Sequence, residues 1–368
     1  MKLSILQSDL IGPLQLISGA VERRQTLPVL SNILLQVEDG ILSLTGTDLE
    51  VEMLARVTLS NECENGEITV PAKKFLEICK SLDSNSLISL VLKENKLKLS
   101  TSKSRFTLST LPASDFPNLE GSDNLESLQV NVAEIKELID STQFAMALQD
   151  VRYYLNGMLF EFSEEGKLYS VATDGHRMAL SYQSVNTQLE GKIQAIVPRK
   201  GVIELNRFLS TVEGNVQLQI SNNHIRASSE SFTFTSKLVD GKYPDYQKVL
   251  PKGGDKIVVA HRGVLKEGLH KAAILCNEKF RGVRMLLSPN LLKLNSNNPE
   301  QEEAEVEIEV DYGGPELEIG FNVNYMLDVL NTVKTDMVRL TFSDENSSLL
   351  MDEVDGTNSL YVIMPMRL

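Results

Sequence analysis

The densest group of chemically capable side chains is Thr173-Asp174-Gly175-His176-Arg177, which puts a carboxylate, an imidazole and a guanidinium within five residues. The chemistry such a group offers is proton transfer, with His176 as a general base oriented by Asp174. That reading needs a nucleophile or an electrophilic site, and no local motif supplies one. GxSxG, GxGxxG and HExxH are absent, and none of Gly166, Gly191 and Gly241, which each precede a lysine, is followed by the Ser or Thr of a phosphate loop. The four histidines and three cysteines show no metal-ligand spacing. The plainer reading is a turn, in which Asp-Gly makes the bend and His176 and Arg177 form polar walls. No catalytic residue, metal or cofactor is expected. Arg152-Tyr153-Tyr154 is a second group: a cation beside two rings suits base stacking and phosphate contact, although either ring also fits a core. Met364 and Met366 form a third. Their flexible thioethers suit a groove that accepts several ligands, and edge-strand packing explains them equally well.

The elements that position these residues are written three times. TVPAKKFLEICKSL (69 to 82) aligns with IVPRKGVIELNRFL (196 to 209) and FNVNYMLDVLNTV (321 to 333), at offsets of 127 and 124, close to one third of the 368 residues. Solenoid units run only about 20 to 50 residues, so the repeating object is a whole domain. Each copy opens with a short alternating strand, KLSIL, SLQVNV or KIVVA. A helix follows, opened by Ser8 or Asp9, by Asn131, and by His261 or Arg262. Two or three strands come next, with Asp39-Gly40 as a hairpin turn between apolar runs. The second helix sets Phe75, Ile78, Cys79 and Leu82 on one face, as it does Met326, Val329, Leu330 and Val333. Val202, Leu205 and Leu209 repeat the spacing, broken by Asn206. Three or four strands finish each copy. The expected fold class is α+β, with two helices packed on a mostly antiparallel sheet, and domains at 1–125, 126–254 and 255–368.

About 123 residues per copy is near the commonest domain size. The 42% hydrophobic content can supply three ordinary cores. Cys63, Cys79 and Cys276 are odd in number and unpatterned; with no signal peptide or apolar run of membrane-spanning length, a soluble protein of the reducing cytoplasm is expected. Cys79, on an apolar helix face, reads as core filler. The net charge is −14, divided as −4, −2 and −8 over the three copies. The third copy concentrates acid in NNPEQEEAEVEIEVDYGGPELEI, while the end of the first carries Lys93, Lys96, Lys98, Lys103 and Arg105. A basic edge at one end and an acidic edge at the other suit head-to-tail pairing.

VERRQTLPVLSN (21 to 32), TGTDLEVEM (45 to 53), QDVRYYLNGMLFE (149 to 161), VATDGHRMA (171 to 179), FTSKLVDGKYPDY (234 to 246), NEKFRGVR (277 to 284) and the terminal MPMRL resemble the bacterial DNA sliding clamp family, the β subunits of the replicative DNA polymerase III. The resemblance runs from Met1 to Leu368 and implies three residue sets. Arg24, Gln149, Tyr153, Tyr154 and Lys200 would touch DNA. Arg152, Leu155, Thr173, Gly175, His176, Arg177, Pro244, Val249, Tyr325, Ser348, Val362, Met364, Pro365 and Met366 would form a pocket for short client peptides, between the second and third copies. Phe106 and Leu108 would meet Ile274 and Leu275 across a dimer interface, with Lys74, Lys103 and Arg105 facing Glu300, Glu302, Glu303 and Glu305. Met178 and Lys248 stand where relatives often carry Leu and Arg, and Lys lacks the planar fork of Arg.

A domain of this size behaves as a ball about 35 Å across, so six in a closed ring leave a hole of roughly 35 Å, wide enough for hydrated duplex DNA, and three leave almost none. One chain is then half a ring, and two joined head to tail close it. A net charge of −14 argues against ordinary DNA binding, but a ring that slides must not grip, because each close phosphate contact releases counterions and takes time to break. Basic residues on the helices (Lys73, Lys74 and Lys80; Arg199, Lys200 and Arg207; Arg262, Lys266 and Lys271) supply a mildly basic inner wall. The resemblance implies a processivity clamp with no catalytic activity. Its partners would be a second copy, duplex DNA without regard to sequence, the polymerase catalytic subunit, other polymerases and repair proteins, and an ATP-driven loader. The rival readings are an enzyme centred on His176 and a repeat-built interaction scaffold that never encloses DNA.

Overall fold

A computed structural model describes residues 1–21, 27–117, 126–185, 191–356 and 358–367. Among these, each third of the chain contributes two helices and eight strands. The helices are α1 (Gln7–Ala20), α2 (Ala72–Lys80), α3 (Val132–Thr142), α4 (Arg199–Leu209), α5 (Arg262–Ala273) and α6 (Val323–Thr332). Four strands separate the helices of a copy and three follow the second, so the first group is longer than the two or three expected.

Local chemistry explains most of these boundaries. Asn131 caps α3 by accepting the Ala133 N–H at 2.9 Å, and His261 Nδ1 caps α5 by accepting the Gly263 N–H at 3.1 Å. The first helix begins at Gln7, one residue before Ser8, and no side chain caps it. Asp39 and Gly40 both have positive φ, 48° and 77°, as the tight hairpin between Asn32–Glu38 and Ile41–Thr47 requires. The predicted faces of α4 and α6 are buried, including Val202, Leu205, Leu209, Met326, Val329 and Leu330, and Val333 is buried just past the end of α6. Phe75 and Cys79 are buried on α2, and burial pushes the Cys79 thiol up to about 12.

The backbone ladders do not stop where the repeat does. The chain divides into two compact units, the first comprising Met1–Ala133 and Lys200–Leu238, the second Glu134–Arg199 and Val239–Leu368. Each unit holds one four-stranded and one eight-stranded antiparallel sheet. In the first unit the eight-stranded sheet is continuous because Val51–Thr58 pairs with Phe232–Lys237, setting Met53 opposite Phe234. In the second, Arg177–Ser184 pairs with Ser359–Ile363, setting Met178 opposite Val362. Strands from neighbouring copies thus satisfy each other's edges, which the expectation of one self-contained layer per copy did not include.

In the first unit Phe208 of α4 is fully buried against Phe234, with ring centroids 6.3 Å apart. Phe208→Ala should therefore cost about 3–5 kcal/mol, from lost transfer energy and the cavity left behind. Ile203 lies on the same helix but is exposed, so Ile203→Ala should stay within about 0.5 kcal/mol. Urea unfolding of the two variants checks the contrast; equal losses would mean that α4 is not held by this face.

Candidate functional site

The Thr173-Asp174-Gly175-His176-Arg177 turn joins strands Lys167–Thr173 and Arg177–Ser184 in the second unit. Asp174 closes it: Oδ1 accepts the N–H of His176 at 2.9 Å and of Arg177 at 3.0 Å, and Oδ2 accepts Arg177 Nε at 3.1 Å. That carboxylate is bound to backbone and guanidinium rather than to the His176 ring, so the dyad of the enzymatic reading is not assembled. The imidazole instead stacks on Tyr325, with centroids 6.5 Å apart and planes 19° from parallel. Gly175 has φ +87°, and a Cβ there would come within 2.8 Å of Arg152 Nη2. The guanidinium tip could move aside, so it is the left-handed backbone that favours glycine there.

Arg177 is the hub. Its guanidinium pairs with Asp174, with Asp328 of α6 and with the Phe144 carbonyl, the last at 2.9 Å. It also lies over the Tyr325 ring at 4.5 Å and the Phe144 ring at 5.2 Å. Tyr325 and Asp328 are one helical turn apart on α6, so one helix face supplies both the ring and the carboxylate. Arg152 holds Asp150 through Nε at 3.0 Å and Nη2 at 2.9 Å. These hydrogen bonds lower the Asp150 carboxyl to about 2.

The remaining pocket candidates lie in the same unit. Tyr243 and Tyr246 are buried in a core with Met178, Leu180, Ile196 and Val362, and Tyr246 donates to the buried Glu161 at 2.8 Å. These two anchors leave Pro244 and Val249 exposed between and after them. Val249 and Ser348 line one surface cavity of about 400 Å³. Leu155 and Val362 are buried and so offer no accessible wall. After its last strand the chain is pinned twice, Met364 N–H donating to the His176 carbonyl at 2.9 Å and Met366 N–H to that of Gly320 at 2.8 Å. Met364 is 45% exposed beside the turn. Lys248 pairs with Asp245 at 3.1 Å and is largely solvated.

Sequence reasoning passed over Asp150, Phe144 and Asp328. Asp150 and Asp328 each left a trace, as acids two residues before Arg152 and three after Tyr325; Phe144 becomes visible once the chain folds back on itself.

The other two residue sets divide between the units. Gln149 is exposed in the left-handed region at φ 55°, Tyr153 is 76% exposed, and Tyr154 packs partly against the same core as Tyr243. These three belong to the second unit. Lys200 belongs to the first, where it is ion-paired with Asp48. Arg24 lies outside the described residues. In the first unit Arg105–Ser109 is an outer strand of its four-stranded sheet, with Lys103, Arg105 and, on α2, Lys74 exposed, Phe106 half-buried and Leu108 buried. In the second unit Glu303–Glu309 is an outer strand of the corresponding sheet. Glu300, Glu302 and Glu303 are exposed there, whereas Glu305 pairs with Lys293 at 3.1 Å within the chain. Ile274, just after α5, is 76% exposed and Leu275 half-buried. Among the described residues no cluster of three His, Cys, Asp or Glu side chains could hold a metal.

Residues 1–120, 129–245 and 247–367 match the models of the N-terminal, central and C-terminal domains of the DNA polymerase III beta subunit. The beta sliding clamp of Pseudomonas aeruginosa is 55% identical and that of Escherichia coli K12 is 51% identical, each over the full length of both chains. The crystal structure of the P. aeruginosa subunit superimposes with a TM-score of 0.97 over all of both chains, and another from that organism, bound to griselimycin, with 0.98. The chain belongs to the DNA polymerase III beta subunit family, the bacterial beta sliding clamps.

Proposed function

We propose that two copies of this chain join head to tail into a ring around duplex DNA, and that the ring tethers a polymerase to its template. The protein is a processivity factor and not an enzyme, in keeping with the full-length match to beta sliding clamps. Three domains, 1–125, 126–254 and 255–368, make half of the ring. The observation that carries the client-binding part is the Arg177 hub, because it fixes His176, Tyr325 and the Gly175 turn around exposed Met364. A preorganised aromatic and thioether surface suits a short peptide with one or two apolar anchors. The polymerase catalytic subunit and other polymerases or repair proteins would present such peptides, in the cytoplasm. The sequence holds no nucleotide-binding loop, so opening the ring falls to a separate ATP-driven loader. Among the described residues no helix is long and apolar enough to cross a membrane.

Closure rests on the two outer strands. Arg105–Ser109 and Glu303–Glu309 each have backbone hydrogen-bond partners on one side only, with basic side chains on or beside the first and acidic ones along the second. Antiparallel pairing between copies would satisfy both edges, with exposed Ile274 as the apolar contact beside them.

Three variants test these surfaces. Ile274→Asp should leave the chain folded, with an unchanged far-UV circular dichroism spectrum, since the side chain is solvated in one chain. Sedimentation at low micromolar concentration should then give a monomer; a dimer of unchanged affinity would remove Ile274 from the interface. Deleting Met364 to Leu368 should abolish fluorescence-detected binding of a polymerase-derived peptide while the dimer persists, and Arg177→Ala should weaken that binding by roughly tenfold or more. Normal peptide affinity in the deletion would contradict the pocket.

A further inference from the structure

Lys200, one of the residues placed toward DNA, is not a free cation. Its ammonium is ion-paired with Asp48, and both residues lie in the first unit. The Asp48 side chain is only 3% exposed, while that of Lys200 is 32% exposed. Asp48 is also locked in orientation: Oδ1 accepts the N–H of Glu50 at 2.9 Å and of Val51 at 2.8 Å, and Oδ2 is left for the lysine. The turn around it is over-determined. Thr47 Oγ1 donates to the Val51 carbonyl at 2.9 Å and accepts the Leu49 N–H at 3.0 Å, and Leu49 sits at φ 78°, a costly conformation for a branched side chain. The same face of α4 carries a second cation two turns on, where Arg207 pairs with the largely buried Glu204.

A lysine that displaces counterions from a phosphate steepens the dependence of log K on log salt by about 0.9. A lysine already held by a buried carboxylate gives up that pairing to reach the phosphate, so its net contribution to grip is small. We propose that Asp48 is a governor of DNA grip: it holds Lys200 at the surface with its charge answered, keeping the ring's hold on phosphate weak enough to slide. The inference rests on the reading that Lys200 faces DNA, and deepens it by giving a role to Asp48.

The test is a double-mutant cycle in the full-length protein: parent, Asp48→Asn, Lys200→Ala and the double variant. Asn keeps the side-chain oxygen that accepts the two N–H groups of the turn, while its NH2 replaces the charged oxygen and cannot accept from the lysine. The probe is a labelled duplex of about 30 base pairs without loader, titrated by fluorescence anisotropy over a salt series from about 50 to 200 mM. Asp48→Asn should bind roughly fivefold tighter at the lowest salt, with the slope steeper by about 0.9. In the Lys200→Ala background the same change should do nothing. If Lys200→Ala weakens binding but Asp48→Asn does not strengthen it, Lys200 touches DNA and the governor is overturned. If the tightening survives without Lys200, it reflects general loss of negative charge, and the proposal also falls. If neither variant alters binding, the placement of Lys200 toward DNA fails, and the governor with it.

Discussion

A β-sheet edge leaves a row of backbone N–H and C=O groups that must be paired, covered or exposed to water, and this constraint organises the chain. Within each unit it is met by strands from neighbouring copies of the repeat: Val51–Thr58 on Phe232–Lys237, and Arg177–Ser184 on Ser359–Ile363. The same constraint leaves Arg105–Ser109 and Glu303–Glu309 with an open side, and the proposed dimer uses one to satisfy the other. The strand that continues the second sheet also delivers the tail at 364–367 to the His176 turn, because Arg177 and Ile363 are partners in the ladder. The proposed pocket would thus be a by-product of sheet continuity.

Charge is handled in a similarly internal way. Arg177 is answered by two carboxylates and a carbonyl, Arg152 by Asp150, and Lys200 by Asp48. Each of these three cations is held by a partner, so it shapes a surface more than it projects a field. That suits a peptide pocket, which needs rigid walls, and a DNA-facing surface that must not bind tightly. The net charge of −14 then presents no obstacle to acting on DNA.

The helix faces and the Asp39-Gly40 hairpin were legible because each depends on residues a few positions apart, and the threefold repeat because one pattern recurs along the chain: periodicity places Phe75 with Cys79 and Met326 with Leu330 without knowledge of the rest. Sheet continuity was not legible, since alternation shows that 51–58 and 232–237 are strands and not that they pair. The hub contacts were hidden for the same reason. Arg177 and Asp328 are 151 residues apart, and Lys200 and Asp48 are 152 apart. The Thr173-Asp174-Gly175-His176-Arg177 cluster showed its chemistry plainly but not its use. Asp174, the natural partner for a catalytic histidine, is consumed by the turn itself.

Enclosure of DNA is the central claim, and retention on a closed circle measures it most directly. The protein is loaded on nicked circular duplex with a bacterial clamp loader and ATP, the complex is isolated, and the circle is then cut once. A topological link predicts that the protein stays on the circle through high salt and leaves promptly after linearisation. Loss from the intact circle as salt rises would show an electrostatic attachment, contradicting the ring and favouring a scaffold that binds clients without enclosing DNA.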